Sequence, residues 1–459
     1  MASTQLASTQ TGQLAALVAG LSRRDIPAEG LELVSLATLD ALGCALAGAG
    51  TPERMKILAW ASTLGVGTDA AVVGGGGRRL AAALAALVNA TAAHALDLDD
   101  VSPTMTHPSA SLVPALLAVG ERIGACGADL QVGYVAGFEV CARLCRILNP
   151  EHYHDGWHTT GTVNTLGVAA AVGRLLRLDA DQLRIALGIA AASASGIRKN
   201  FGTMIKPLHA GNAAFHGVAA AELAAAGFTA DADVLDGRLG YLDVFSRGAH
   251  GLDGPVPPSA ELELLASGII FKRHACCGAL HTAVDGLLDI MDRAGIGAGK
   301  IARIRCVINA RADQVLVYHH ASTPAEGRFC VEYTLAAAAL DGAAGPAQYS
   351  PERVASAGVQ ELASRVTVVV DPELPTGYAS FPSVVTVQTR DGDSFEQRVD
   401  VARGEPGRPF TAAELADKFR ACAAAVLSPG ETEQAISAVL SLGELSNARE
   451  LGMLVSGTG

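Results

Sequence analysis

Hydrophobic positions in the first 265 residues recur with the spacing of an α-helix. Between positions 33 and 46, leucines lie three or four residues apart and form one apolar stripe, which predicts a helix over 31–47. The same pattern predicts helices at about 79–95, 110–125, 128–148, 160–177, 180–195 and 209–226. Many of these stretches are apolar on nearly every side, which is typical of helices inside a domain. The pattern therefore predicts a large all-helical domain over residues 1–265.

The pattern changes after residue 265. Residues 300–310 alternate apolar and polar side chains, 366–370 form a β-branched run, and 384–388 and 395–399 flank an Asp-Gly turn. Helical patterns at about 279–293, 327–340 and 352–364 are interspersed with these strands. The mixture predicts a smaller α+β domain over residues 266–404, which we expect to act as a lid.

Helical patterns return in the last part of the chain. Thr411 precedes an apolar pattern and Glu414 follows three residues later, which is the spacing of a capping box at a helix start. We expect residues 405–459 to pack on the helical domain and complete it. The fold class is therefore mainly α, with a large all-helical domain and a smaller α+β lid domain.

Small side chains dominate the composition. The 459 residues include 51 glycines, and hydrophobic residues make up 50 %, aromatic residues 4 % and charged residues 17 %. A chain this apolar is not disordered, and its small residues allow helix backbones to approach closely. The net charge is −12, and the sequence shows no basic cluster of the kind that would indicate a nucleic-acid partner.

The sequence favours neither a membrane protein nor a secreted one. Its longest uncharged run, 101–120, has the length of a membrane span but contains three prolines and a histidine. The first residues are polar and lack the basic and apolar regions of a signal peptide. The nine cysteines are odd in number and scattered through apolar stretches, as reduced core thiols are. We therefore expect a cytoplasmic protein with no membrane partner.

The first candidate site is the segment 94–110, HALDLDDVSPTMTHPSA. Carboxylates at 97, 99 and 100 precede His107, Pro108 and Ser109, which mark the start of a new helix. Free N–H groups at a helix start attract anions, so a substrate carboxylate could lie beside His107. The alternative is a solvated acidic loop followed by a helix cap.

The second candidate is the segment 152–160, HYHDGWHTT. Its three histidines could bind zinc, but one short loop rarely supplies a whole site, and no HExxH or CxxC spacing accompanies them. A cluster of hydrogen-bonded loop histidines is one alternative. An acid/base or substrate-binding role for His158 is the other.

The third candidate is Lys206, which interrupts an apolar helical pattern within SGIRKNFGTMIKPLH. The abundance of Ala and Gly around Lys206 indicates that its side chain is partly buried. A buried lysine either pairs with an acid or holds an anionic substrate, and it can donate a proton when its pKa is lowered. The sequence leaves both roles open.

The fourth candidate is the segment 271–285, FKRHACCGALHTAVD, at the predicted domain boundary. Cys276, Cys277 and His281 resemble half of a metal site, and no second half accompanies them. Either thiol could act as a nucleophile if a helix N-terminus or a histidine lowered its pKa, although core thiols at a helix start are favoured. Lys272 and His281 are the more attractive candidates in this segment.

These four segments, in this order, resemble the MmgE/PrpD family, which contains 2-methylcitrate dehydratase, cis-aconitate decarboxylase and iminodisuccinate epimerase. The resemblance covers most of the chain and includes HALDLDD, HPSASLVPALLAVGE, GFEV, GWHTT, SGIRKNFGTMIKPLHAGNAA, KRHACCGALH and ALDG. It implies a large helical domain with a smaller lid, a homodimer, and a reaction that needs no metal and no organic cofactor.

The resemblance also implies roles for individual residues. The expected catalytic residues are His158, Lys206, His107 and Asp97. The expected substrate-binding residues are Lys272, His281, Cys277 and Tyr318. At Cys277 the chain departs from the pattern, because a lid histidine of the family falls on this position and His281 follows four residues later.

Two further departures concern the acidic motif. Val101 stands directly after the aspartates, where decarboxylases of the family have a hydroxyl residue, and Ser102 comes next. Leu98, Asp99 and Asp100 stand where methylcitrate dehydratases have Asn-Asp-Thr. The sequence therefore lies between the named activities and does not select one substrate.

The chemistry that the resemblance implies is proton exchange at a carbon next to a carboxylate. Lys206, Lys272 and His107 would bind substrate carboxylates, His158 would transfer the proton, and Asp97 would orient a histidine or lysine. We expect a cofactor-independent lyase that decarboxylates or dehydrates a small di- or tricarboxylate. One alternative is an epimerase of an aspartate-derived polycarboxylate. A second is a non-catalytic helical protein that binds carboxylates.

Overall fold

The computed structural model describes residues 9–65, 67–248, 261–376 and 381–457, and most of these residues are helical. The helices before residue 270 are α1 Gln10–Gly20, α2 Ala28–Ala47, α3 Pro52–Thr63, α4 Ala82–His94, α5 Pro108–Ile123, α6 Gly127–Leu148, α7 Glu151–His154, α8 Thr159–Leu175, α9 Ala180–Ser193, α10 Ile205–Ala225, α11 Tyr241–Ser246 and α12 Glu263–Ser267. The later helices are α13 His281–Ala294, α14 Ala310–Val315, α15 Pro324–Gly327, α16 Val331–Asp341, α17 Pro351–Val354, α18 Ala357–Ala363, α19 Ala412–Ala423, α20 Pro429–Leu440 and α21 Ala448–Ser456. The strands are β1 Ala70–Ala71, β2 Arg79–Leu80, β3 Ile301–Ile308, β4 Val366–Val370, β5 Ser383–Thr389 and β6 Ser394–Val399.

Most helices before residue 248 share one hydrophobic core. Helix α8 packs against α6 and α10, and α4 lies on the other side of α10. A Cβ added at Gly167 would lie 2.2 Å from Cys141 Sγ, and one added at Gly217 would lie 2.4 Å from Val168 Cβ. Helix backbones at these two contacts are therefore closer than any larger residue allows, which explains the use of glycine there.

The last three helices pack on this same core. Thr411 caps α19, and the Glu414 side chain accepts a hydrogen bond from the Thr411 backbone N–H, so the predicted capping box is confirmed. Helix α19 lies along α2, where Lys418 and Asp40 form a buried ion pair. This contact brings the C-terminal segment beside the loop that follows α4.

A second hydrophobic core lies between residues 275 and 387. Its sheet has the strand order β4-β3-β5-β6, with β4 parallel to β3 and the other neighbours antiparallel. Strands β5 and β6 form the predicted hairpin, and helix α13 packs on them. Leu96, Leu98 and Cys422 also belong to this second core, so the two cores meet beside the loop that follows α4.

One predicted helix is wrong in detail. The pattern at 352–364 predicts one helix, but the structure has two short ones, α17 and α18. Ser350 caps the first, and Ser356 has the extended backbone of an N-cap before the second. Serine favours such positions because it competes with helical backbone hydrogen bonds, so Ser356 divides an otherwise continuous apolar pattern.

One helical stretch, Ala28–Gly50, is long and apolar enough by composition to cross a membrane. Most of it is buried among the other helices, and Asp40 within it pairs with Lys418. A buried core helix of a globular domain has the same composition as a membrane span.

Candidate active site

A cavity of about 670 Å³, measured out to its open mouth, lies where the two hydrophobic cores meet. The segments before 270 contribute most of its polar side chains, and those after 270 contribute Lys272, Cys277 and part of its apolar wall. The charged and imidazole groups on its wall are Asp97, His107, His158, Lys206 and Lys272. Its larger apolar side chains are Val101, Met105, Phe201, Val315, Phe329 and Phe381.

The loop after α4 brings the two sides of the cavity together. Asp97 in this loop has a φ of 53°, a left-handed conformation that aspartate tolerates better than most residues. Farther along, the backbones of Val101 and Ile270 exchange two hydrogen bonds of 2.9 and 2.8 Å. This bridge holds the segment that carries Lys272 against the loop that carries Asp97.

Asp97 binds both cavity lysines through one oxygen. Its Oδ1 accepts hydrogen bonds from Lys206 Nζ at 3.1 Å and from Lys272 Nζ at 2.7 Å, and Lys272 also donates to the Asp97 backbone carbonyl. Burial alone would raise the pKa of Asp97, but the two ammonium groups outweigh it and hold this pKa well below its usual range. Asp97 is therefore a carboxylate that keeps two ammonium groups close together on the cavity wall.

Asp99 lies close to two histidines, His94 behind this wall and His107 on it. His94 Nδ1 lies 2.9 Å from Asp99 Oδ2, and His94 Nε2 lies 3.2 Å from Lys206 Nζ. Because an ammonium group can only donate, His94 Nε2 accepts from Lys206 and His94 Nδ1–H donates to Asp99. Burial lowers the pKa of His94 to about 3, so its ring is neutral. His107 Nδ1 lies 3.1 Å from Asp99 Oδ2, and burial lowers the pKa of His107 as well.

The cluster of His94, Asp97, Asp99 and His107 has the spacing of a metal site, since one ligand atom from each lies within 4.8 Å of the others. Its charge argues against a cation, however, because a divalent ion bound to Asp97 would lie next to two ammonium groups. The arrangement suits an anion better. We therefore treat these residues as parts of a carboxylate site.

His158 occupies the N-cap position of α8, and its backbone N–H donates to the Gly196 carbonyl at 3.0 Å. Its ring lies edge-on to Phe201, with centroids 4.9 Å apart, and its Nδ1 lies 2.9 Å from Nδ1 of His209. Burial and then the neighbouring His209 and Lys206 hold the pKa of His158 well below its usual value. His158 is therefore neutral at rest.

The other two histidines of the second candidate segment lie elsewhere. His152 is buried, with its ring nitrogens 3.0 Å from the Phe245 carbonyl and 2.8 Å from Thr162 Oγ1. His154 is exposed and does not line the cavity. Among the described residues these three histidines thus do not converge on one point, which favours the reading in which His158 alone is functional.

The structure also separates the remaining candidates. Cys277 lines the cavity, and burial raises the pKa of its thiol, so it adds no charge there. His281 begins α13 and its Nε2 lies 3.3 Å from the Cys276 carbonyl, behind the wall. The Tyr318 hydroxyl donates to the Phe201 carbonyl at 3.4 Å and contacts Gly202, also outside the lining.

Three residues near the site were not among the predicted site residues: His94, Asp99 and His209. His94 ends α4 three residues before Asp97, and His209 follows Lys206 by one turn of α10. Residues three apart on a helix lie on the same face, so the spacing in KPLH could have indicated His209. The spacing of HALDLDD could not, because a loop separates its members.

Comparison with known families covers both parts of the chain. Residues 12–251 match the model of the MmgE/PrpD N-terminal domain, and residues 274–443 match that of the MmgE/PrpD C-terminal domain. The second match begins three residues before Cys277. The cavity is therefore lined by residues from both matched regions.

Several characterised proteins are similar over nearly their whole length. Cis-aconitate decarboxylase of Mus musculus is 30 % identical over 430 residues, which cover 91 % of this chain and 88 % of that protein. The Homo sapiens protein of the same name is 29 % identical, with coverage of 91 % and 89 %. Cis-aconitate decarboxylase of Aspergillus terreus is 27 % identical, with coverage of 96 % and 94 %.

Proposed function

We start from the premise that this chain belongs to the MmgE/PrpD family, and we propose that it is a lyase that decarboxylates a small di- or tricarboxylate. The observation that carries the proposal is the pair of ammonium groups of Lys206 and Lys272, both within 3.1 Å of Asp97 Oδ1 on the cavity wall. The names of the relatives support decarboxylation over dehydration.

Decarboxylation breaks the bond between a carbon and a carboxylate group, which leaves as CO₂. The electron pair stays on the substrate, where an adjacent carboxylate spreads it over its oxygens, and a carbon then takes up one proton. Two fixed ammonium groups are suited to stabilise this developing charge because they need no reorganisation when it forms. His158 and His107 lie on the same wall and are the candidate proton donors.

Asp97 has a positioning role in this scheme. Two ammonium groups repel each other, and a shared carboxylate between them offsets this repulsion and holds the two groups close together. A substrate carboxylate entering the cavity then meets two donors already in place. Cys277 supplies no third cation at this wall, so we include dicarboxylates among the substrates.

The epimerase alternative is supported by one observation. The His107 and His158 rings lie at 4.5 and 5.8 Å from the His94 ring, and both line the cavity. An epimerase needs acid/base groups on two sides of one carbon, and these two histidines could supply them. Binding without catalysis is the remaining alternative. Cofactor independence, the homodimer, a mobile lid and the cytoplasmic location remain predictions.

An NMR screen in D₂O tests the proposal. The purified protein is incubated with cis-aconitate, methylcitrate and N-substituted aspartates, and products are identified. We expect CO₂ release and a product that carries one deuterium. Deuterium at the α-carbon without loss of CO₂ or water would indicate the epimerase instead.

Two variants complete the screen. Lys206→Ala and His158→Ala should each abolish most of the turnover. If no polycarboxylate is consumed by the wild-type protein, or if both variants keep full activity, the proposed function and site are wrong.

A further inference from the structure

The rings of His158 and His209 contact each other through their Nδ1 atoms. The two Nδ1 atoms lie 2.9 Å apart, with ring centroids at 5.1 Å and ring planes inclined by 54°. Both rings are buried, and only His158 lines the cavity. Since Nδ1 of His158 is bound to His209, its Nε2 is the nitrogen left for the cavity.

This contact limits how many protons the two rings can hold. A protonated imidazole carries hydrogen on both nitrogens, so two such rings would place two hydrogens in the 2.9 Å gap. The gap holds one. The pair is therefore either neutral, with two protons on its four nitrogens, or singly positive, with three.

The surroundings favour the neutral pair at rest. The titratable groups that act electrostatically on His158 are His209, Lys206, His94 and His107, and Lys206 also acts on His209. Burial and then Lys206 lower the pKa of His209 to about 4. None of these neighbours is a carboxylate, so none of them would stabilise a positive charge on the pair. A bound polyanion would supply the negative charge that the pair lacks.

We propose that His209 is a positioning residue that fixes the tautomer of His158. This inference rests on the function proposed above. In the neutral pair, His158 Nδ1–H donates to Nδ1 of His209, and His209 carries its own proton on Nε2. Nε2 of His158 then faces the cavity without a proton, ready to accept one. A carboxylate fixes a catalytic histidine in the same way, but here the accepting group is neutral.

The proton balance of one turnover follows. Substrate binding and a proton from solvent give the singly positive pair, with hydrogen on Nε2 of His158. As the substrate loses CO₂, this proton passes to carbon, and the pair returns to the neutral state. Throughout the cycle, the bridging proton stays between the two Nδ1 atoms.

The test uses the whole protein with ¹⁵N-labelled histidine, and two-bond ¹H–¹⁵N NMR spectra read the tautomer of each ring. We expect His158 with hydrogen on Nδ1 in the wild-type protein. His209→Asn places an amide oxygen where Nδ1 was and should keep this tautomer. His209→Leu has a similar volume but no acceptor, and His158 should move its proton to Nε2.

Kinetics with cis-aconitate then separate positioning from packing. His209→Leu should lower kcat by about 10²-fold, the usual contribution of acid–base catalysis, with little change in KM, whereas His209→Asn should recover much of the loss. His216→Asn, on the same helix but away from the cavity, is the matched control and should leave both constants unchanged.

Two results would overturn the proposal. One is a wild-type His158 with its proton on Nε2, and the other is a His158 tautomer that does not respond to His209→Leu. The NMR result does not require turnover. If the expected tautomers are found but no polycarboxylate is consumed, the proposed function fails and the role of His209 in positioning the ring stands.

Discussion

The loop after α4 contributes residues to two buried clusters of charged and polar side chains. The carboxyl groups of the two clusters have different hydrogen-bond partners. The cavity cluster comprises His94, Asp97, Asp99, Lys206 and Lys272. The core cluster comprises Asp40, Asp100, Ser109, Tyr134 and Lys418. Asp97, Asp99 and Asp100 are close neighbours in sequence, yet they belong to different clusters.

The pKa values of the carboxyl groups shift in opposite directions in the two clusters. Asp97 receives two ammonium groups, and its pKa stays well below the usual range in spite of burial. Asp100 accepts hydrogen bonds from the backbone and the hydroxyl of Ser109, and burial with the nearby Asp40 raises its pKa well above the usual range. Asp97 beside the cavity thus stays charged, whereas the closed surroundings of Asp100 favour its neutral form. We infer that the first cluster serves chemistry and the second serves stability.

The largest expected effect that tests this division is on activity. Lys206→Met removes one ammonium group from the cavity, while Asp97 keeps Lys272 as its partner. Loss of one fixed donor to a developing anion lowers turnover by about 10²–10³-fold. We expect this loss in kcat/KM for the substrate identified by the NMR screen, with the melting temperature little changed.

Lys199→Met is the matched control for this variant. Lys199 is exposed in the segment just before α10 and does not line the cavity. Its replacement should leave kcat/KM unchanged. If Lys206→Met also keeps wild-type turnover, the cavity cluster does not bind the reacting anion.

The second effect is on stability. Lys418→Met leaves the buried Asp40 without its ammonium partner, and breaking a buried ion pair from one side costs about 3–5 kcal/mol. We expect a loss near the lower end, because the pKa of Asp40 is already raised by burial and the group can take up a proton. The measurement is the free energy of unfolding in urea.

A double variant provides the contrast. Asp40→Asn combined with Lys418→Met removes both charges and should be more stable than Lys418→Met alone. Below its melting temperature, Lys418→Met should also retain most of the turnover, unlike Lys206→Met. A double variant that is no more stable than the single one would contradict the role of the ion pair.

The third effect concerns the sign of the pH dependence. The pKa of His94 is lowered from its ordinary value of 6.5 to about 3, so between these values unfolding takes up a proton, and stability falls as pH falls. The pKa of Asp100 is raised above 3.8, so unfolding releases a proton above that value, and stability falls as pH rises through the pKa of the folded state. Each contribution amounts to about 1.4 kcal/mol per pH unit.

Two variants separate these contributions. The free energy of unfolding of His94→Gln, minus that of the wild-type protein, should increase as pH is lowered from about 6.5 to 4.5. The same difference for Asp100→Asn should increase as pH is raised over the same range. Urea unfolding at several pH values measures both slopes. Slopes of the same sign would show that the two clusters do not differ in the way described.

The division between the clusters also shows what sequence can and cannot predict. The long periodic patterns predicted α6 and α8 nearly to the residue, because a buried helix imposes its period on many positions. Residues Asp97, His107, His158, Lys206 and Lys272 were expected together from the family resemblance, and all five line one cavity.

The rest depends on contacts that a pattern does not contain. The sequence presented positions 97, 99 and 100 as one acidic loop, and only the folded chain shows that Asp100 faces Ser109 and Asp99 faces His94. His281 was expected in the site, but α13 begins at this residue and its ring lies against the Cys276 carbonyl. Such details follow from the direction of a side chain at a helix start, which spacing alone does not fix.

The smallest expected effect lies within the core cluster. The Ser109 hydroxyl and the Tyr134 hydroxyl lie 2.6 Å apart, and Ser109 donates in turn to Asp100. Tyr134→Phe keeps the ring and removes one buried hydrogen bond, which costs about 1 kcal/mol. Because Tyr134 does not line the cavity, kcat/KM should be unchanged. If Tyr134→Phe lowers kcat/KM as Lys206→Met does, the hydrogen bonds of the core cluster affect the groups that react. The two clusters would then be one network, and the assignment of chemistry to one and stability to the other would fail.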